Sequence, residues 1–188
     1  MHLTRRPVLA MLGALTMAAT ALPAQAEDAA VIDARVNIAL EKLFADVPGT
    51  RELSQRAVGI LVMPDVVKGG FILGGSYGEG ALRLNDGSGF RNTAEYYSVG
   101  AASLGLQAGI QSSSHALFFL TDSALRKFRR ADGWEAGVDA EVTFPEKGMN
   151  VGADTTTAQK PIVAFVFAQD GLLLGASLEG AKYSRIVR

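Results

Sequence analysis

The sequence predicts an α+β fold: N-terminal helices followed by a curved, largely antiparallel, glycine-rich β-sheet with one inserted helix. Three observations carry this. Residues 28–47 place Ile32, Val36, Ala39, Leu40, Leu43 and Val47 at helical spacing. From Val58 onward, short apolar runs are separated by turn signals, the pattern of antiparallel strands joined by short connections. Gly69, Gly70, Gly74, Gly75, Gly78 and Gly80 stand among β-favouring residues, where glycine marks bulges, bends or close backbone approach.

Taken in order, Pro48-Gly49 ends the first helix, and Thr50 reads as the N-cap of a short second one with Leu53 and Ala57 on one face. Val58–Met63 is a buried strand that Pro64 is expected to break. Phe71–Leu84 is glycine-rich strand, and Asp86-Gly87 is a turn. Residues 94–111 repeat the glycine-in-strand texture, and Ala116–Leu120 reads as a buried strand. Thr121 or Asp122 caps a helix to about Arg130, with Leu125 and Phe128 inward, and Asp132-Gly133 ends that segment. Val138, Ala140, Val142 and Phe144 alternate with Asp139, Glu141 and Thr143, which predicts a half-buried strand. Ile162–Ala168 and Leu172–Leu178 flank Asp170-Gly171, the strongest hairpin signal in the chain.

The N-terminus reads as an export signal. Arg5 and Arg6 precede an apolar stretch from Val8 to Leu22, and Ala24-Gln25-Ala26 is a small-x-small cleavage site. The apolar stretch is shorter than the roughly 20 residues a spanning helix needs. Residues 1–26 are therefore expected to be removed, leaving 27–188 as one domain in the periplasm or secreted medium. Thr4-Arg5-Arg6-Pro7-Val8-Leu9 also resembles a twin-arginine signal, a receptor-read address rather than an anchor.

Composition narrows the chemistry. There is no cysteine, so stability in an oxidising compartment must come from packing. The formal net charge is −1 and becomes more acidic once Arg5 and Arg6 are lost, which gives no basic face for nucleic acid. Of the two histidines, His2 lies in the leader, and His115 alone cannot make a soft metal site. Ser112-Ser113-Ser114 precede His115, but neighbours in a strand point to opposite faces and no Gly-x-Ser-x-Gly elbow occurs; His115 reads as a strand-end residue. The glycine block lacks the Gly-Lys-Ser/Thr ending of a phosphate loop, and Arg83 stands where a dinucleotide fingerprint needs its third glycine. Glu79, Asp139, Glu141 and Glu179 are the carboxylates that acid–base chemistry would need to converge. No cofactor is expected.

One segment concentrates positive charge. On a helix, Arg126, Arg129 and Arg130 cluster at three- and four-residue spacing, and Lys127 flanks them. Such a face can meet lipid phosphates at about 1 kcal/mol per basic residue. The first helix suits membranes less. Glu27, Asp28, Asp33, Glu41 and Asp46 outnumber Arg35 and Lys42 on it, whereas interfacial helices favour cations.

Several blocks, taken together and in order, resemble the SYLF (Ysc84-like) family. They are Gly59–Phe71 (GILVMPDVVKGGF) running into Gly74–Gly80, then Tyr96-Tyr97-Ser98 and Ser103–Gln111 (SLGLQAGIQ). Ala124–Phe128, Gly133–Ala140 (GWEAGVDA) and Gly171–Gly180 (GLLLGASLEG) complete the series, which spans roughly residues 30–187. The resemblance implies a phospholipid-binding domain; Lys68, inside the first block, is a second candidate contact beside the basic cluster of Arg126, Lys127, Arg129 and Arg130, and no enzymatic role is expected. The resemblance also brings actin for some fungal members, a partner that an exported chain would not meet. The expected partner is an anionic phospholipid or membrane surface; the alternative is a structural or protein-interaction component of the cell envelope.

Overall fold

The computed structural model describes residues 28–70, 73–87, 89–104, 109–144, 160–168, 171–173, 178 and 180–188. The leader, the Asp170 side of the hairpin tip and Glu179 lie outside the described residues. Two helices come first, α1 (Ala29–Asp46) and α2 (Thr50–Arg56). Four long strands follow: β1 (Gly59–Gly70), β2 (Leu73–Leu84), β3 (Thr93–Leu104) and β4 (Gly109–Phe119). Then come α3 (Asp122–Arg130), β5 (Trp134–Glu135), β6 (Ile162–Ala168), β7 (Gly171–Leu172) and β8 (Lys182–Ile186). All eight strands join one curled antiparallel sheet in the order β5-β8-β3-β2-β1-β4-β6-β7. The α+β architecture is the one the sequence predicts.

The sheet is apolar on both faces because it is covered on both. Alternate residues of each strand go to opposite sides. Ile60, Val62, Ala81, Ala116, Phe118, Val163 and Phe165 pack under Ile32, Val36, Leu40 and Leu43 of α1 and Leu53 of α2. Leu61, Met63, Leu82, Val99, Leu117, Ile162 and Ala164 form the other core with Leu125 and Phe128 of α3. Phe128 is the hub of that second core. Its ring lies 4.8 Å from Tyr97, 4.9 Å from Phe119 and 5.3 Å from Trp134, close enough for favourable tilted and edge contacts.

Several local expectations change. Pro64 does not end β1. The strand runs on through a bulge at Pro64-Asp65, with register shifts against both neighbours and Asp65 at φ 50°. The extra residue reverses the side-chain phase, so that Met63 and Val66 both face the α3-side core. On β2 the glycines answer the bulge: a Cβ on Gly80 would sit 2.0 Å from the Val62 carbonyl oxygen. The described residues of 94–111 belong to β3, up to Leu104, and β4, from Gly109, and Ala116–Phe119 is the end of β4. Thr50 is the first residue of α2 rather than its cap. Gly49 caps at φ 86°, and the Thr50 hydroxyl donates back to the carbonyls of Val47 and Leu43.

The alternating stretch Val138–Phe144 is not a strand. It makes a turn at 137–139 and single bridges at Ala140 and Thr143, and Val138 is 73% exposed. Asp139 explains the turn: its carboxylate accepts the Glu135 N–H at 2.7 Å. Ala140, Val142 and Phe144 still pack against the core. β5 and β8 were not anticipated, because each is short and β8 alternates Tyr183 with charged residues. β6 and β7 pair as a hairpin, as expected, but Gly171 belongs to β7 opposite Ala168 rather than to the turn, and β7 is only Gly171–Leu172; residues 174–177 of the expected second strand lie outside the described residues.

Candidate functional site: a basic helix and a groove on opposite faces

α3 starts where the sequence places it. The Thr121 hydroxyl accepts the Ala124 N–H at 3.2 Å, and Leu125 and Phe128 are buried. The four cations do not act alike. Arg129 is committed to Glu95 of β3, donating from Nε at 3.1 Å and Nη2 at 2.8 Å. Glu95 also accepts from the Tyr97 hydroxyl at 2.7 Å and lies 3.5 Å from Arg185. Burial pushes the Glu95 carboxyl up, but the Arg129 and Tyr97 hydrogen bonds and the two arginine charges outweigh it and hold it below the usual carboxylate range. The Arg129 guanidinium is correspondingly held above its ordinary value, chiefly by that hydrogen bond. Lys127 donates to the Asp139 carbonyl. Arg126 and Arg130 remain, exposed, one turn apart and in no ion pair among the described residues.

Lys68 is exposed but does not join them. Gly59 packs against Leu125 of α3, and Lys68 lies near the other end of β1, up to roughly 30 Å away at about 3.3 Å per residue. The structure therefore separates the predicted contacts into a helix face and a distant strand end.

The acidic residues are also dispersed. Glu79 pairs with Arg188, Glu141 with Lys160 at 2.9 Å, and Asp139 holds its own turn. Among the described residues no three metal-ligating side chains come together. His115 is not at a strand end. It sits inside β4, 7% exposed, with Nδ1 3.3 Å from the Tyr183 hydroxyl. Its phase puts it on the α3-side core with Met63 and Val166, away from Ser112 and Ser114.

Two features went unread in the sequence. Arg83 is a buried cation, 3% exposed, that fastens α1 to the sheet. It donates to the Asn37 side chain at 2.6 Å and to the carbonyls of Phe90 and Asp33. Asp33 accepts from Thr93 at 2.5 Å and Tyr96 at 3.0 Å, and its carboxylate lies 3.8 Å from Arg83. Burial lowers the Arg83 guanidinium from its ordinary value, against the raising effect of Asp33. The only signal was phase: Arg83 shares a strand face with Ala81, which lies under the helices.

The second is a groove of about 370 Å³ beside the β1 bulge. Arg35, Ile38 and Lys42 of α1 form one wall; Ser112, Ser113 and Ser114 of β4 form the other, and Pro64-Asp65 lies between.

A single curled antiparallel sheet covered by helices on both faces, with cations and hydroxyls around a surface groove, defines an α+β domain. The family model described as "Ysc84: Las17-binding protein actin regulator" matches residues 100–186, from the second half of β3 through β8. That match, a little under half of the chain, is consistent with a SYLF (Ysc84-like) domain. No curated protein matches the chain.

Proposed function

We propose that this chain is an exported, non-enzymatic phospholipid-binding module of the cell envelope, which meets anionic bilayers through the outer face of α3. The observation that supports it is the pair Arg126 and Arg130, exposed and without an acidic partner among the described residues, on a helix anchored by Leu125 and Phe128. Each such cation contributes about 1 kcal/mol near an anionic surface. The chain is net acidic, so attraction must come from this local cluster and decay within about 8 Å at physiological salt. Lys127 can turn its ammonium to the same surface. Arg129 belongs to the fold through Glu95, and Lys68 is too far along β1 to share the contact. The actin and Las17 of the family's description are not carried to an exported chain.

Cosedimentation with phosphatidylglycerol vesicles tests this. Binding is expected at low salt, with steep loss at high salt and little binding to phosphatidylcholine. The double variant Arg126→Gln, Arg130→Gln should fold normally and lose most of it. Full binding by that variant takes α3 out of the site. No vesicle binding by the unaltered protein leaves an envelope protein as the partner.

A further inference from the structure

We propose that the groove beside the β1 bulge is a head-group site for a zwitterionic amino-phosphate, of the phosphoethanolamine type, carried on an apolar stem. It lies across the sheet from α3, and it rests on the phospholipid reading only for the source of the ligand.

The chemistry is set by what converges there. Arg35 and Lys42 lie two turns apart on one side of α1, and both line the groove. Among the described residues Lys42 pairs with Asp46 through an exposed i,i+4 contact, worth a few tenths of a kcal/mol, so a phosphate can take its place cheaply. Facing them, the Ser114 hydroxyl accepts the Asp65 N–H at 3.4 Å, which leaves its own proton to donate. Ser112 adds a second, exposed hydroxyl. Two cations and hydroxyl donors suit a phosphate.

Asp65 decides between an anion and a zwitterion. It is exposed at the groove, and its carboxylate would repel a purely anionic head group. It is also the one non-glycine described residue with positive φ, a backbone state that costs energy and recurs at binding sites. An ammonium beside the phosphate would pair with it.

The stem has a path. Val67 stands opposite Ser112 on one side and Tyr77 on the other; the Val67 side chain and the Tyr77 ring are exposed, at 46% and 56%, while the Tyr77 hydroxyl donates to Glu79 at 2.5 Å. Their phase puts them on the groove's side of the sheet. Ile38, 66% exposed, borders the groove from α1. A volume of about 370 Å³ lies within the range of roughly 300–1,000 Å³ usual for small-ligand sites.

The test is titration of the whole protein with dihexanoyl-phosphatidylethanolamine below its micellar concentration, followed by calorimetry and amide NMR. Shifts are expected at Ser112, Ser114, Asp65 and α1, not at α3. Lys42→Gln should weaken binding about tenfold. Asp65→Asn, which tolerates the left-handed backbone, should remove the preference for the ethanolamine lipid over short-chain phosphatidylglycerol. Equal affinity for O-phosphoethanolamine keeps the head-group site but overturns the apolar stem; much weaker affinity supports a lipid. No saturable shift at these residues, or an amine preference that survives Asp65→Asn, overturns the proposal. The Arg126→Gln, Arg130→Gln variant should titrate normally, so failure of vesicle binding and failure of the groove are read separately.

Discussion

The His115 Nδ1 and the Tyr183 hydroxyl lie 3.3 Å apart although their strands, β4 and β8, are separated in the sheet by β1, β2 and β3. On a flat sheet, four strand spacings would put them about 19 Å apart. They meet because the sheet curls around the α3-side core and brings its two flanks face to face. The Nε2–H tautomer lets the Tyr183 hydroxyl donate to Nδ1. The contact is polar and buried, and the acidity of the histidine follows from that.

Burial lowers the His115 pKa to about 4 from an ordinary 6.5. The unfolded chain therefore takes up a proton that the folded one refuses. Stability from this site is present in full above pH 6.5 and is lost as pH falls towards 4, by about 3 kcal/mol in total. Urea denaturation at pH 7 and pH 4.5 should show that loss. His115→Gln, which keeps a neutral polar group, should flatten the dependence between pH 6.5 and 4.5; an unchanged slope would assign it elsewhere. The Glu95 contribution is present above the ordinary carboxylate range and is lost as pH falls from that range through its depressed folded pKa.

Gly80 tests the fit between the bulge and the second strand. An added Cβ would meet the Val62 carbonyl oxygen at 2.0 Å and the Met63 Cα at 2.8 Å, both backbone that cannot swing away. Overpacking of this kind costs about 1–3 kcal/mol or more. Gly80→Ala should fall at or above the top of that range in chemical denaturation. Gly87→Ala makes a control: its Cβ meets nothing, so only the strain of its φ of 87° remains.

These glycines show what was legible. Their concentration in the sequence marks a bent sheet, because only close approach or special backbone explains glycine among β-formers. Which strand bulged was not legible, since Pro64 reads as a terminator unless an edge or bulge accommodates it. The amphipathic stripe of α1 and the cap of α3 are local features and were read correctly. Val138–Phe144 misled because a strand-like alternation was overridden by the Asp139 turn. The basic segment was visible as a cluster, but the diversion of Arg129 to Glu95 joins residues far apart in sequence. The groove combines α1, the bulge and the serine run, so no single segment could reveal it.

Glu95 should matter more than the surface ion pairs. Its side chain is 13% exposed and serves Arg129, Arg185 and the Tyr97 hydroxyl together. Glu95→Ala should cost about 2 kcal/mol, because it strips partners from two arginines and a buried phenol. Lys42→Ala removes only the exposed Lys42–Asp46 pair and should cost under about 0.5 kcal/mol. Matched denaturation curves decide it; equal effects would mean that Glu95 is as well solvated as Asp46.

Arg83 and Asp33 should respond unequally to removal. Asp33→Ala leaves a buried guanidinium without its nearest negative charge and takes the acceptor from Thr93 and Tyr96. Breaking one side of a buried pair costs about 3–5 kcal/mol; Asp33 is 37% exposed, which favours the lower end. Arg83→Met removes the buried charge itself, and with it the Nε that has no hydrogen-bond partner. The remaining Asp33 keeps its two hydroxyl donors and its contact with water. Arg83→Met should therefore be the milder change, by about 1–2 kcal/mol in urea denaturation. Hydrogen exchange along α1 should rise more in Asp33→Ala than in Arg83→Met, since the helix is docked through this network. A more damaging Arg83→Met would mean that its bonds to Asn37 and the Phe90 carbonyl, rather than the neutralisation of its charge, hold the helix down.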